Sequence, residues 1–264
     1  MGETAYTEAQ PGGPGRSVSV TAVPGLPEIG PGFDLGAALG ESTGLAGDDV
    51  VVVSQKAVSK AEGRVVALSQ VEPGPEARRM AAEIDRDAVL VELVLRESRS
   101  IVRTDPERGI LIAETHHGFI CANAGIDASN MAEPGTVSLL PEDPDRSARR
   151  IRGEISAAAG VRPAVIISDS FGRAWRLGQA EVAIGMAGIA PLDDWRGRAD
   201  RAGALLGATS IAIADQIAAA ADLVRDKTSG TPAAVVGGLA RWVRDEDGPG
   251  CADQIRPPGD DLFR

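Results

Sequence analysis

From Ser17 to Val23 apolar and polar positions alternate with a period of two, which predicts a half-buried strand. The next stretch, Pro24-Gly25-Leu26-Pro27-Glu28-Ile29-Gly30-Pro31-Gly32, holds too much glycine and proline for a regular element and reads as a shaped loop. Asp34 can cap a short helix after it. Asp49 to Ser54 encloses a run of valines, hence a buried strand, and opens onto Gln55-Lys56-Ala57-Val58-Ser59-Lys60. Between Pro75 and Arg103 the spacing predicts a helix, with Leu90, Leu93, Val94, Glu97 and Ile101 on a core-facing stripe. Ile110 to Ala113 predicts another strand, which leads through His116-His117-Gly118 to the polar-rich run ending Asp127-Ala128-Ser129-Asn130. A loop at Pro141 to Asp145 feeds a helix over Ser147 to Ala159, with Gly160 as its stop. Val165 to Ser168 then forms a short strand that delivers Asp169-Ser170-Phe171-Gly172-Arg173 to a loop. The glycines between Gly178 and Gly207 and the mixed charges from Asp193 to Arg201 predict irregular chain. A helix over Ala212 to Arg225 and a strand over Ala233 to Val236 complete a mixed alpha/beta pattern of class α+β, without a visible 20 to 50-residue repeat.

Composition narrows the function classes. With 264 residues, 43% hydrophobic and 25% charged, the chain can bury a sizeable core and is not globally disordered. Aromatic residues are only 3%, against a stacking surface for single-stranded nucleic acid, and 27 basic against 38 acidic residues give a net charge of -11. Nucleic acid is therefore excluded as a general partner. No window approaches 18 uninterrupted apolar residues, and residues 1 to 16 form a polar, Gly/Pro-rich leader read as disordered rather than as a signal peptide, so no membrane role is expected. Cys121 and Cys251 form no CxxC pair, which suits a reducing cytoplasm. His116 and His117 alone cannot build a multi-histidine metal site, so metal chemistry must rest on carboxylates, amides and hydroxyls.

The common nucleotide signatures are missing. Lys227-Thr228 lacks the upstream glycines of a P-loop, and Gly30-Pro31-Gly32-Phe33-Asp34-Leu35-Gly36 has the wrong spacing for GxGxxG. Its backbone N–H groups can cradle phosphate or simply turn the chain. Asp127 and Asp169 lie at the ends of separate predicted strands, near Asn130 and Ser170, the carboxylate and neutral-oxygen mixture that a hard cation needs. Equally, Asp127 can close an Asx turn and Asp169 can cap a turn or pair with Arg173. Lys56, Lys60, Arg173 and Arg176 can hold polyphosphate or a carboxylate, or lie solvated on the surface. The histidines are read as packed or hydrogen-bonded, and Trp175 and Trp195 as core.

Six runs in order resemble the coenzyme F420:L-glutamate ligase family, including the N-terminal ligase part of the actinobacterial two-domain enzyme. They are Pro24 to Ile29, Val58 to Arg64, His117 to Asn130, Leu140 to Asp145, Ile167 to Arg176 and Ala214 to Ala218. The resemblance implies a two-lobed, intertwined homodimer with the ligase domain over residues 17–244. Residues 245–264 resemble the junction to a nitroreductase-like domain that does not follow here. It implies GTP-dependent addition of one or more gamma-linked L-glutamates to coenzyme F420-0 through an acyl phosphate, with GDP and phosphate released. Magnesium or manganese, two ions per site, is the implied cofactor, with potassium as an optional further ion.

Carried onto this sequence, the resemblance makes Asp127 and Asp169 metal ligands, Ser170 a ligand to a second metal and Asn130 a GTP contact. Leu26, Pro27, Glu28 and Ile29 resemble the nucleotide-binding segment, joined by Gln55, Lys56 and Lys60. Asp127, Asp169 and Lys60 are the implied catalytic residues. Leu223 to Gly230 resembles the last GTP-binding element, with Lys227 near the second metal. Three positions depart from the pattern: Ser170 stands where Thr is usual and keeps the hydroxyl, Ala174 stands for Pro, and Gln216 stands for Glu with the loss of a charge. The alternatives are a GTP-dependent ligase for another phosphorylated carboxylate, and a module that holds a nucleotide or deazaflavin without turnover.

Overall fold

The computed structural model describes residues 17–261 apart from 43, 227 and 229, so the leader over 1–16, Lys227 and the last tail residues lie outside the described set. In chain order the elements are β1 (Ser19–Ala22), α1 (Leu35–Ser42), β2 (Val50–Ser54), α2 (Gln55–Ala61), β3 (Val65–Ala67), α3 (Pro75–Glu83), α4 (Ala88–Arg96), β4 (Ser98–Asp105) and β5 (Ile110–Thr115). They continue with β6 (Ile120–Ala122), β7 (Thr136–Ser138), α5 (Pro144–Ala159), β8 (Ala164–Arg173), β9 (Arg176–Ala187), β10 (Leu192–Asp194), β11 (Ser210–Ala212), α6 (Ile213–Asp222) and β12 (Ala233–Gly237).

A mixed five-stranded sheet in the order β1-β12-β2-β8-β9 forms the centre, with β2 and β8 its parallel pair and the other neighbours antiparallel. The valine run of β2 has a simple cause: both faces of the sheet are covered, so neither parity of side chain meets water. Val51, Val53, Val165 and Ile167 pack with Leu35 and Leu39 of α1 and Ile151 and Ile155 of α5. Val50, Val52, Ala164 and Ile166 pack on the other face with Ile213, Ile217 and Ala218 of α6 and with Trp242. Full burial of each such valine or isoleucine stabilises the fold by about 1.5–3 kcal/mol. Helices α1 and α5 approach so closely that a Cβ on Gly36 would lie 2.4 Å from the Glu154 Cβ.

The strands β4-β5-β6 form a three-stranded sheet, and β3 pairs with β7. Helices α3 and α4 cover these strands with a separate core that includes Ala77, Ile84, Val91, Val94 and Leu111. Arg152 is fully buried on α5 and ties down the C-terminal segment. Its guanidinium donates to the carbonyls of Pro163, Arg244 and Asp245 and to the Asp247 carboxylate.

Several expectations are met: Asp34 accepts the Ala37 N–H at 2.9 Å ahead of α1, and Gly160 ends α5 in a left-handed conformation with φ 70°. Others are corrected. The helix expected over Pro75 to Arg103 is two helices and a strand. Asp85 turns left-handed with φ 50°, Asp87 caps α4 by accepting the Val89 N–H, and the Ser98 hydroxyl bonds the Val94 carbonyl where the helix stops. Ile101 belongs to β4, opposite Ala113; its spacing from Glu97 mimicked a helical period. Asp169 to Arg173 is not a loop but the far half of β8, paired with β9. Part of the stretch read as irregular is therefore strand. Gly185 sits in β9 because a Cβ there would lie 2.4 Å from Pro144 backbone atoms, so this glycine marks close packing rather than a turn. Trp175 is not core: it is 87% exposed at the hairpin tip. Trp195 is only partly buried, its indole N–H bonded to Asp193.

Candidate active site

Strand β2 ends at Ser54, opposite Ser168 of the parallel strand β8, at the edge of the sheet where open sheets place ligands. Chain leaving β2 enters α2 without a loop, which puts Lys56 and Lys60 four residues apart on one helix face. The loop Pro27 to Ile29, the mid-strand residues Ser168 to Ser170 of β8, and Asp222, Arg225, Asp226, Thr228 and Gly230 to Pro232 complete a cleft of about 530 Å³.

Asp127 reaches this cleft from the loop after β6. Asn123 and Ala124 (both φ 51°) and Gly125 (φ 74°) make three successive left-handed turns of backbone, and a bridge between Asp127 and Ser138 pins the loop behind them. The turn expected at Asp127 is present. Its carboxylate closes an Asx turn by accepting the Ser129 N–H at 2.7 Å, and it also meets Lys56 Nζ at 2.7 Å. Burial pushes this carboxyl up, but the bonds from Lys56 and Ser129 outweigh it and leave Asp127 below the usual carboxylate range. Lys56 also donates to the Ser129 carbonyl and hydroxyl at 2.6 and 2.8 Å. Lys60 Nζ lies 2.6 Å from Glu28, whose side chain is 71% exposed. An exposed pair of that kind is weak and exchangeable for another anion.

Asp169 has the opposite environment. Burial pushes its carboxyl up to about 7; the charges of Glu181 and Asp127 add to the shift, while the Ser170 N–H and Lys56 oppose it. Beside it the Ser170 hydroxyl donates to Glu181 Oε1 at 2.5 Å, and Arg225 Nη2 donates to Glu181 Oε2 at 3.0 Å. Asp169 does not pair with Arg173, which bonds the carbonyls of Leu177 and Gly178 within the hairpin. Cys121 offers no thiolate nearby: burial, assisted by the Asp169 charge, pushes its thiol up to about 12.

Among the described residues no three His, Cys, Asp or Glu side chains converge tightly enough to hold a metal ion unaided. The donor set nonetheless fits a hard divalent cation that brings part of its own shell. Asp127 and Asp169 supply carboxylates and Ser170 a hydroxyl, and the burial and neighbouring Glu181 charge that lift Asp169 both disfavour an ionised carboxylate that a cation would stabilise. Magnesium bound with substrate phosphates uses only one or two protein carboxylates.

Of the residues singled out in the sequence, Pro27, Glu28, Ile29, Gln55, Lys56, Lys60, Asp127, Asn130, Asp169 and Ser170 all line the cleft. Leu26 does not; it packs against the hydrophobic core. Gln55 is buried at the cleft floor, where it accepts the Ser59 hydroxyl at 3.0 Å. Arg173 and Arg176 lie outside the cleft lining. Both histidines hydrogen-bond through Nε2: His116 Nε2 lies 2.8 Å from the Arg96 carbonyl, and His117 Nε2 lies 3.0 Å from those of Pro141 and Glu142, while the buried His117 Nδ1 has no hydrogen-bond partner. Gln216 is exposed on α6 and does not line the cleft, so the missing charge there falls outside it. Glu181 carried no sequence signal, because its position opposite Ser170 depends on the β8–β9 register. Arg225, Asp226 and Thr228 fall in the segment that resembled a GTP-binding element, although no role had been read for them individually.

Comparison with known proteins gives a consistent outcome. The chain is 42% identical over 250 residues to the coenzyme F420:L-glutamate ligase of Methanopyrus kandleri, covering 94% of this chain and 98% of that protein. The enzyme of the same name from Methanothermobacter thermautotrophicus is 40% identical over 253 residues, covering 94% and 99%. That from Haloarcula marismortui is 42% identical over 255 residues, covering 94% and 96%. Residues 25–238, which carry nearly the whole central sheet and every wall of the cleft, match the family described as F420-0:gamma-glutamyl ligase, and the chain belongs to that family.

Proposed function

We propose that this chain is a GTP-dependent ligase that joins L-glutamate to the carboxylate of coenzyme F420-0. The reading rests on one observation above all: in a chain of this family, Lys56, Lys60, Asp127, Asp169 and Ser170 line one cleft beyond the end of β2.

A carboxylate is a poor electrophile, so it must be activated before an amine attacks it. In the proposed route a carboxylate oxygen of the acceptor attacks the terminal phosphorus of GTP, the bond to the bridging oxygen breaks, and GDP leaves. The glutamate amine then attacks the acyl carbon, loses a proton, and expels phosphate. Such transfers depend chiefly on positioning and neutralisation of charge. Lys56 and Lys60 are the cations for the phosphates. Lys60 can exchange exposed Glu28 for a phosphate oxygen at little cost, whereas Lys56 also fixes the Asp127 loop. Asn130, the Pro27 to Ile29 loop and the segment containing Lys227 hold the nucleotide. Magnesium or manganese, held by Asp127, Asp169 and Ser170, would supply Lewis-acid neutralisation of the phosphoryl oxygens.

Isotope transfer tests the route. Acceptor labelled with oxygen-18 in its carboxylate is expected to give inorganic phosphate carrying one labelled oxygen per bond formed. Product formed with unlabelled phosphate would refute the acyl phosphate, and glutamylation driven only by ATP would refute the nucleotide assignment.

A further inference from the structure

Glu181 is 7% exposed and stands directly opposite Ser170 in the β8–β9 ladder. One of its oxygens accepts the Ser170 hydroxyl at 2.5 Å. The other accepts Arg225 Nη2 at 3.0 Å, and the same nitrogen meets the Ser168 hydroxyl at 3.1 Å. The Arg225 side chain is itself only 6% exposed. Its Nε and Nη1 groups are buried with no hydrogen-bond partner, so core packing alone does not explain the placement.

A serine hydroxyl has one proton and two lone pairs, and it rotates freely unless its proton is committed. An ionised carboxylate can only accept, so Ser170 must be the donor in this pair. Its oxygen then faces the cleft with lone pairs alone, a surface that suits a cation or an N–H group and repels a phosphate oxygen.

We infer that Glu181, anchored by Arg225, is a positioning residue that turns the Ser170 hydroxyl into a cation-facing acceptor. Glu181 does this as the cross-strand neighbour of Ser170 in the same cleft wall, without ligating the ion itself. The inference rests on the proposed reading of the cleft as a divalent-cation and nucleotide site.

The test is a double-mutant cycle on Mn2+ binding, read by electron paramagnetic resonance of free Mn2+ with the full chain and saturating GDP. This readout does not depend on turnover. Ser170→Ala and Glu181→Gln are each expected to weaken Mn2+ binding by about 10 to 100-fold, and the double variant no further than Ser170→Ala alone. Ser170→Thr, which keeps the proton and lone pairs, is expected to bind within about threefold of the unaltered chain and to remain sensitive to Glu181→Gln. Arg225→Lys keeps the charge but loses the fork, with a loss of about 3 to 10-fold expected. It also serves in place of Glu181→Gln should that variant not fold. Additive losses in the double variant would overturn the inference by making Glu181 an independent ligand. Unchanged binding in Glu181→Gln, or in Arg225→Lys where it stands in, would overturn it as well. A chain with no Mn2+ affinity under GDP would overturn the reading of the cleft and the inference together.

Discussion

Ionised Asp169 destabilises the fold that carries it, and the effect can be measured without substrate. Its carboxyl holds a proton up to about pH 7 in the folded chain, against an ordinary value of 3.8, chiefly because it is buried and secondly because Glu181 lies near. Between those values the native state keeps a proton that the unfolded state has released. Stability from this group is therefore present below pH 3.8 and is lost as pH rises, with the loss complete just above 7. At about 1.4 kcal/mol per pH unit, the interval from pH 5 to 7 costs nearly 3 kcal/mol, and water in the open cleft reduces this to between about 1 and 3. Asp169→Asn has no proton to lose. In EDTA, the urea-unfolding free energy of the variant relative to the unaltered chain is expected to rise by that amount from pH 5 to pH 8. Subtraction removes every titrating group that is not coupled to Asp169, which leaves Glu181, Asp127 and Lys56 as its coupled neighbours. Magnesium added at pH 8 is expected to narrow the gap, since a cation relieves only the ionised carboxylate. A gap that is the same at pH 5 and pH 8 would refute the reasoning, because it would mean that Asp169 carries no unfavourable charge.

Lys60→Ala is expected to raise the apparent KM for the nucleotide about tenfold and to leave the melting temperature nearly unchanged, since its exposed pair with Glu28 contributes less than about 1 kcal/mol; steady-state kinetics and a thermal scan check both halves. Gln216→Glu is expected to leave turnover and metal requirement within about twofold by the same kinetics, because residue 216 is exposed outside the cleft. Arg152→Met is expected to cost about 1–3 kcal/mol in denaturant unfolding, since it takes the buried donor from the Pro163 and Arg244 carbonyls, whereas Arg162 still reaches the Asp245 carbonyl and the Asp247 carboxylate.

The sheet was largely legible in the sequence because its signals are local. Valines on both parities of β2 announce burial on both faces, and Asp34 and Gly160 mark helix ends by their own conformational chemistry. Elements whose nature depends on distant partners were not legible. The far half of β8 looks polar and loop-like because it extends past the core, and only the ladder with β9 makes it a strand. Ile101 fell on a helical spacing by coincidence, and only its pairing with Ala113 assigns it to β4. The site divides the same way. Asp127, Lys56 and Lys60 lie in or beside short segments that the sequence marks, and Asp169 follows the apolar run of β8, whereas Glu181 and Arg225 reach the cleft through register and a turn that no local pattern encodes.

The central claim is ligation, and the most direct measurement is mass-resolved chromatography of the pure chain incubated with coenzyme F420-0, L-glutamate, GTP and magnesium or manganese. The account predicts products heavier by one or more glutamyl residues, GDP in equal number to the bonds formed, and loss of both with Asp127→Asn. Neither glutamylated product nor GDP with either metal would contradict it, and GDP without glutamylation would contradict the assignment of the acceptor.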